Sequence, residues 1–338
     1  MTARQHHHVS QCYLKGFVRD RDKPRLFVVD IKEHRSFAAN PKNVAVERDF
    51  HAVDIDGLPS DAFENSLAGF EDALDKALRR IVAARSITKD EDDRAYLLNF
   101  VCLLAIKNPG LRANFHAAHA QTARIIMDLV TASPERYEAQ VLRAKEDGFL
   151  SADLNVDYQT MREFVEGKQY RLETKPSTHL QMEMQIFENI LPLIFNRKWV
   201  LFKAPASGTG FITSDHPVCL SWSAPNERAG FSPPPGLGLM GTQLLFPISN
   251  ELAIIGAFEI DEDEIEADES LVARINGSVL VHAERQIYSR DSDFLYKMQH
   301  HSKVMPGAGL LDDLAAWAQT SETSRPRGEP PTRHSDLT

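Results

Sequence analysis

The spacing of apolar residues changes twice along this chain of 338 residues, and these changes limit the folds that it can adopt. Short β-branched and aromatic runs occur up to residue 57, apolar residues at steps of three and four fill residues 60–196, and short runs return after residue 197. Steps of three and four predict amphipathic helices, and short runs bounded by turn residues predict strands. Because helices and strands are segregated along the chain, the sequence predicts an α+β fold.

The predicted strands suggest how the two ends of the chain meet. Runs at 25–30 and 35–37 predict an N-terminal hairpin, and runs at 199–203 and 210–214 predict a pair of strands. The simplest arrangement is one antiparallel sheet, formed by the N-terminal hairpin and the C-terminal strands and packed on a central helical bundle. We expect the acidic run at 259–269 to open a helix from about 268 to 284, because acids favour helix N-termini, and residues 293–303 to be helical.

These patterns predict one α+β domain over residues 1–304. It comprises an N-terminal arm and hairpin (1–57), a helical middle (60–196) and C-terminal sheet and helices (197–304). Residues 305–320 predict a short amphipathic helix. Residues 321–338 are polar and rich in proline, which predicts a disordered tail.

Charge is distributed unevenly along the chain. The net charge of -10 argues against general attraction to nucleic acid or to an anionic membrane. Residues 4–48 are nevertheless locally basic, and their cationic side chains are Arg4, Lys15, Arg19, Arg21, Lys23, Arg25, Lys32, Arg35, Lys42 and Arg48. This basic strip predicts a contact with nucleic acid or a nucleotide, and a solvated surface is the alternative.

The cysteines and apolar runs indicate the compartment. The three cysteines, Cys12, Cys102 and Cys219, are odd in number and widely spaced, which argues against a disulfide framework. The longest apolar run, 97–106, is too short to span a bilayer, so no membrane partner is expected. We therefore expect a cytoplasmic protein.

The sharpest candidate for chemistry is the stretch 211–218, an apolar strand that ends in Ser214, Asp215 and His216 before Pro217. Proline lacks a backbone donor and ends regular pairing, so these polar side chains should lie on a turn at the mouth of a sheet. A carboxylate there can bind a divalent metal or act as a general base. The alternative is a hydrogen-bonded turn with no further role.

Other candidate residues come from distant parts of the chain. His7 and His8 are neighbours, so at most one of them is expected to act as an acid, a base or a ligand. Glu64 and Glu71 lie seven residues apart on one predicted helix face, and Arg285 is a candidate ion-pair partner for them. Glu47 lies within the basic strip.

Several common catalytic motifs are missing from the sequence. It contains no Walker A motif, no Gly-x-Gly-x-x-Gly after a strand, no His-Glu-x-x-His and no Gly-x-Ser-x-Gly. Classical nucleotide-dependent, dinucleotide-dependent and α/β-hydrolase chemistry is therefore not expected.

Several separated motifs resemble those of the bacterial DUF4238 family, in the family's order and over roughly residues 6–290. They are His7, His8 and Val9 with Tyr13, Leu14 and Phe17; residues 46–50; Glu64 and Glu71; residues 107–109; Trp199; residues 211–218 and 246–249; and Asn276 with Ala283 and residues 285–289. The family usually has Pro at the position of Ser10, and it often has Arg at Lys107 and Asn at His216. The resemblance implies the fold and the extent of the domain, and the family has no established activity.

Together these features predict a metal-assisted phosphodiester hydrolase that acts on nucleic acid or a nucleotide, with a divalent metal such as Mg or Mn. The predicted catalytic residues are His8, Asp215 and Glu71, and the predicted binding residues are His7, Glu47, Ser214, His216 and Arg285. The alternative is a non-catalytic binding or regulatory module, such as a sensor in a bacterial defence or stress locus. The hydrolase hypothesis requires that the two ends of the chain meet, so that His8 lies across from Asp215.

Overall fold

A computed structural model describes residues 5–48, 62–107, 109–168, 170, 176–206, 208–224, 234–298 and 303–315. Over these residues, strands come first, helices fill the middle and strands return, which confirms the α+β fold. The predicted tail at 321–338 lies outside the described residues.

The N-terminal part forms a short arm followed by a hairpin. Its elements are β1 (Gln5–His7), α1 (Gln11–Leu14), β2 (Leu26–Asp30), β3 (Arg35–Ala39) and β4 (Val46–Arg48). The predicted hairpin is confirmed, because β2 and β3 pair antiparallel. Strand β1 pairs antiparallel with β4, so the arm is held to the segment that follows the hairpin.

The middle of the chain is helical, as the apolar spacing predicts. Its helices are α2 (Ala62–Ala84), α3 (Glu91–Ile106), α4 (Pro109–Val130), α5 (Pro134–Glu146), α6 (Tyr158–Glu166) and α7 (Pro176–Phe195). Helix α3 is apolar on nearly every side because it is the central helix, packed between α2 and α7. Among the described residues, no helix is long and apolar enough to cross a bilayer.

The C-terminal part returns to strands. Its elements are β5 (Lys198–Lys203), β6 (Thr213–Ser214), β7 (Cys219–Trp222), β8 (Thr242–Pro247), β9 (Leu252–Ala257), β10 (Asp263–Glu266), α8 (Glu269–His282), β11 (Gln286–Ser289), β12 (Leu295–Tyr296) and β13 (Met305–Pro306). The predicted helix at 293–303 is wrong over its described part, because β12 instead pairs with β13.

The described strands form two larger sheets and two short ribbons, so the prediction of one antiparallel sheet is wrong. The five-stranded sheet has the order β10-β5-β9-β8-β7, and β10 runs parallel to β5. The four-stranded sheet has the order β3-β2-β11-β6 and is antiparallel. Strands β5 and β6, predicted as partners, therefore lie in different sheets. The N-terminal hairpin nevertheless joins C-terminal strands, because β11 pairs with both β2 and β6.

The acidic run forms an edge strand before it reaches the helix. Neighbouring cations stabilise the acidic side chains of β10 and of the residue before it: Lys203 Nζ lies 2.8 Å from Glu264 Oε2, and Arg94 Nη1 lies 3.1 Å from Glu262 Oε2. The helix predicted from about 268 to 284 is confirmed by α8, where the Asp268 side chain accepts a hydrogen bond from the backbone N–H of Leu271. The strand at 263–266 was not predicted.

Two clusters of buried apolar side chains hold these layers together. In the first, α3 packs with the N-terminal arm and the five-stranded sheet, and Tyr13 stacks on Phe246 with ring centroids 5.2 Å apart. The second surrounds α8 and includes Leu310, whose side chain is fully buried. Because β13 and Leu310 belong to this packing, it continues past the expected domain boundary at residue 304.

Candidate functional site

A cavity of about 420 Å³ lies where the N-terminal arm meets β11 and the end of β6. We call it the His8–Asp215 cavity. Its lining comes from the arm and β4 region, the β2–β3 turn, the residue after β6, and the start of β11. The lining residues are His8, Lys32, Asn43, Val44, Ala45, Val46, Asp215, Glu284, Arg285, Gln286 and Tyr288. The structure thus brings together His8, Asp215 and Arg285, three of the residues singled out from the sequence.

The arm places His8 through its backbone. The backbone N–H of His8 donates to the carbonyl of Ala45 at 3.0 Å and continues the β1–β4 pairing by one residue. Val9, directly after it, is buried in the first apolar cluster. His8 is therefore held between a strand pairing on one side and a core residue on the other, with its side chain half-buried at the cavity.

Asp215 is held by the backbone of the strand opposite. Its Oδ1 accepts from the N–H of Glu284 and its Oδ2 accepts from the N–H of Gln286, both at 3.0 Å. Its own N–H donates to the carbonyl of Gln286 at 2.9 Å. The carboxylate thus extends the pairing of β6 with β11, and it has a clear structural role in addition to its place in the cavity.

The pKa values of His8 and Asp215 are shifted in opposite directions. Burial raises the pKa of Asp215 to about 6; the backbone hydrogen bonds from Gln286 and Glu284 oppose this rise, and the charge of Glu284 adds to it. The pKa of His8 is lowered to about 4, mainly by burial and in smaller part by the charges of Lys107 and His7. At neutral pH, His8 is therefore uncharged and Asp215 is ionised. The carboxyl, and not the imidazole, is the group that titrates closest to neutrality.

A hydrogen-bond network around buried Asp30 holds Arg285, one of the two cations of the cavity lining. Arg285 Nε donates to Asp30 Oδ2 at 2.9 Å, and Gln286 Nε2 donates to the same oxygen at 2.7 Å. The Asp30 side chain is fully buried, yet its pKa is lowered, because hydrogen bonds from Gln286, Glu33 and Arg285 outweigh the effect of burial. The expected pairing of Arg285 with Glu64 or Glu71 is wrong for the described residues, where its partners are Asp30 and Glu33.

Tyr288 extends this network into the cavity. Its hydroxyl donates to Gln286 Oε1 at 3.0 Å, and burial raises its pKa well above the ordinary value, so the phenol stays protonated. The other charged side chains of the lining, Lys32 and Glu284, are exposed at the mouth. The exposed part of the lining therefore carries the cations of Lys32 and Arg285 together with the carboxylate of Glu284.

Four predicted residues lie outside this lining. Ser214 is fully buried and its Oγ accepts from the N–H of His216 at 3.1 Å, which is the hydrogen-bonded turn that the sequence left as an alternative. Burial lowers the pKa of His216. His7 lies behind the lining, with its Nε2 2.8 Å from Gln11 Nε2. Glu71 lies on α2, where its charge acts on Cys12, and the structure does not bring it to the described lining of the cavity.

Glu47 can be placed only by its backbone. It lies on β4 opposite His6, one residue from the cavity residue Val46. Glu64 lies on α2, and the side chains of Glu47 and Glu64 are outside the described part of the chain.

Two expectations about ligands can be compared with the described residues. These residues contain no group of three or more His, Cys, Asp or Glu side chains that could hold a metal ion. The basic strip is interrupted by local contacts: Arg19 pairs with Asp291 at 2.8 Å, Arg21 pairs with Asp75 at 2.8 Å, and Arg35 lies over the ring of Phe37. Lys32 is the strip residue that lines the cavity.

The sequence analysis did not single out Asn43, Lys32, Glu284, Gln286 and Tyr288 as site residues. Glu284, Gln286 and Tyr288 lie close to Arg285 in sequence, so the run of three polar residues at 284–286, directly before two apolar residues, offered a signal. Lys32 and Asn43 lie in turns on either side of β3, and their meeting with β11 depends on the sheet order.

The comparisons with known proteins identify the family. The family described as "Protein of unknown function (DUF4238)" matches residues 5–293, which include every described residue of the cavity lining. No curated protein and no solved structure matches the chain. The match covers most of the 338 residues and agrees with the resemblance carried by the separated motifs. This chain belongs to the DUF4238 family.

Proposed function

We propose that the His8–Asp215 cavity binds a small phosphate-bearing ligand such as a nucleotide, and that the protein hydrolyses a phosphodiester bond there. One observation carries this proposal: two cations, Lys32 and Arg285, share a lining with a carboxyl group whose pKa, about 6, lies close to neutrality. Groups with strongly shifted pKa values in a cavity are typical of functional sites.

The size of the cavity favours a nucleotide over a long nucleic acid. Its volume of about 420 Å³ falls within the range of small-molecule sites, roughly 300–1,000 Å³. A long nucleic acid instead needs an extended basic surface, and the contacts of Arg19, Arg21 and Arg35 interrupt the N-terminal basic strip.

The chemistry follows from the protonation states. Above pH 6, Asp215 is ionised and accepts a proton from the attacking water, as a general base does. The water oxygen bonds to phosphorus, the ester P–O bond breaks, and the protonated Asp215 returns its proton to the leaving oxygen. Lys32 and Arg285 offset the charge of the phosphate. His8 is uncharged at neutral pH. We therefore propose that it orients the ligand and does not act as the acid or base expected from the sequence.

A divalent ion, Mg or Mn, can enter this scheme only together with the ligand. Mg²⁺ is commonly held by one or two carboxylates and the phosphates of a substrate, and Asp215 and Glu284 are the carboxylates of the lining. Hydrolysis is therefore to be measured with and without each ion.

The test uses the purified full chain with bis(p-nitrophenyl) phosphate as substrate and AMP as a binding probe. We expect a rate that rises as the pH passes about 6, and a loss of about a hundredfold or more in Asp215→Asn. Lys32→Ala should weaken AMP binding, whereas Lys42→Ala, which removes an exposed lysine of the same strip, should not. The proposal fails if the wild-type protein neither binds AMP nor cleaves the ester under any of these conditions.

A second candidate is the non-catalytic binding or regulatory module. The observation that favours it is the structural use of the same groups, because both Asp215 oxygens accept backbone hydrogen bonds and Arg285 pairs with buried Asp30. Under this candidate, AMP binds without turnover, and Asp215→Ala lowers the melting temperature. A variant that keeps its melting temperature and loses turnover would contradict it.

We further infer that the protein works in a reducing compartment, the bacterial cytoplasm. Cys12, Cys102 and Cys219 are all free thiols, and the latter two are buried. Secretion into an oxidising compartment would leave three thiols open to oxidation or mispairing. Fractionation of cells that express the native chain checks this assignment.

A further inference from the structure

A buried lysine lies directly behind the strand that carries His8. Lys107 follows the last residue of α3, and its own N–H donates to the carbonyl of Leu103 at 2.8 Å. Its side chain turns into the protein, because the residue is only 5% exposed. Its Nζ lies 3.3 Å from the backbone carbonyl of His7 and donates to it. An ammonium group at this depth is unfavourable unless it is hydrogen-bonded, so the contact with the arm has a structural reason.

The location of Lys107 connects the ribbon of β1 and β4 to the central helix α3. Strand β1 is three residues long, and its ladder partner is β4, another short strand. A two-stranded ribbon of this size is only marginally stable by itself. The bond from Lys107 joins the ribbon to α3, the central helix of the core. The end of a helix also favours a positive charge, because its last carbonyl groups carry partial negative charge.

We propose that Lys107 is the positioning residue of the His8–Asp215 cavity: by binding the carbonyl of His7, it fixes the place of His8 in the lining. The functional meaning of this role rests on the proposed function of the cavity. Lys107 is outside the described lining and acts through His7 and His8, so it is not a catalytic residue.

Lys107 also affects the charge state of His8. Its ammonium is the largest charge effect on His8 and lowers the pKa of the imidazole, with a smaller contribution from His7 on the same strand. The charged and titratable groups that face His8 across the cavity are Lys32, Asp215, Glu284, Arg285 and Tyr288. A change confined to Lys107 leaves all of these in place. The titration of His8 therefore reports on Lys107.

Three variants separate the hydrogen bond of Lys107 from its charge. Lys107→Met removes both, Lys107→Gln keeps an N–H donor without the charge, and Lys107→Arg keeps both. We expect the His8 pKa to rise from about 4 towards 6.5 in the Met and Gln variants and to stay low in the Arg variant. The measurement is an NMR titration of the imidazole resonances, with His8→Gln used to assign the His8 signal.

Hydrogen exchange of the His8 amide, which donates to Ala45, reports on the position of the strand. We expect this exchange to be about tenfold faster or more in Lys107→Met, because a hydrogen bond from a charged donor is lost, and closer to wild type in Lys107→Gln and Lys107→Arg. AMP binding should weaken most in Lys107→Met and less in Lys107→Gln and Lys107→Arg. If Lys107→Met does not fold, the Gln and Arg pair still tests the charge effect.

The proposal is overturned if neither the His8 pKa nor the exchange of the His8 amide changes in Lys107→Met. Where that variant does not fold, the proposal is overturned if His8 has the same pKa in the Gln and Arg variants. Neither readout needs a ligand. A protein that fails to bind AMP therefore contradicts the proposed function and leaves the role of Lys107 to be decided by these two measurements.

Discussion

Replacing Asp215 with asparagine should change the stability of the protein by an amount that depends on pH. The carboxyl has a pKa of about 6 in the folded protein against an ordinary value of 3.8. Between these two values the folded state binds more protons than the unfolded state, so the contribution of Asp215 to stability falls as the pH rises through this window. Asparagine does not titrate, and the variant therefore lacks this loss.

The magnitude follows from the two pKa values. Relative to an unshifted carboxyl, the shift of Asp215 destabilises the folded protein by about 1.6 kcal/mol at pH 5 and by about 3 kcal/mol at pH 8. Replacing one carboxylate oxygen with an amide nitrogen also disturbs a hydrogen bond with Glu284 or Gln286, at about 1–3 kcal/mol. This second cost is present at both pH values. The free energy of unfolding of Asp215→Asn, relative to wild type, should therefore improve by about 1.4 kcal/mol from pH 5 to pH 8.

The assay is urea unfolding of wild type and Asp215→Asn at pH 5 and pH 8. His8 and the other titrating groups are present in both proteins, so their contributions largely cancel in the difference. Asp153→Asn, at an exposed position, is the matched control and should show the same difference from wild type at both pH values. A gap between wild type and Asp215→Asn that stays constant from pH 5 to pH 8 would refute the reasoning, because the buried carboxyl would then be unshifted.

Three further substitutions test the packing of the fold, each by the urea midpoint. Gly277→Ala should destabilise the protein by about 3 kcal/mol, because a Cβ atom there would lie 2.0 Å from the backbone oxygen of Lys297; an unchanged midpoint would contradict this contact. Tyr13→Phe should cost about 1–2 kcal/mol, since it removes a buried hydroxyl 2.7 Å from Thr213 Oγ1, and a neutral result would show that this bond contributes nothing. Arg197→Lys should cost about 3 kcal/mol, because the buried guanidinium donates several bonds that one ammonium cannot reproduce. A loss in Arg197→Lys no larger than in Tyr13→Phe would argue against that role.

The helices could be predicted from the sequence because each is defined by contacts that are local in the chain. Apolar residues at steps of three and four predict helices over 60–196, and α2 to α7 lie within this stretch. The hairpin β2–β3 was predictable for the same reason. Helix and hairpin signals involve residues within a few positions of one another, so a single sequence contains them.

The division of the strands between two sheets could not be predicted in the same way. A run such as 199–203 indicates a buried strand, and it does not say which strand lies beside it. The acidic strand β10 is a clear case, since its composition predicts an exposed helix start. Lys203, Arg94 and Ser86, which contact its acidic side chains and the adjoining Glu262, are distant in sequence.

The candidate site was predictable where a motif contained its own turn signal. Asp215 lies between an apolar strand and Pro217, and this pattern placed it at a strand end. The meeting of His8 with Asp215 followed from the expectation that both ends of the chain share a sheet, and the pairing of β11 with β2 and β6 supplies that closure. Glu71 was grouped with them although its helix face turns towards Cys12. Helical spacing shows which residues share one face of a helix. It does not show which part of the fold that face contacts.

The position of β11 has a consequence for folding during synthesis on the ribosome. Val28 pairs with Tyr288. The hairpin β2–β3 is therefore synthesised about 260 residues before β11, the strand that pairs with it. Pairings of such separation form slowly, and an exposed strand edge can meanwhile pair with another chain. We therefore expect nascent chains that stop short of β11 to depend on chaperones, and expression of a fragment that ends at residue 284 to yield aggregates.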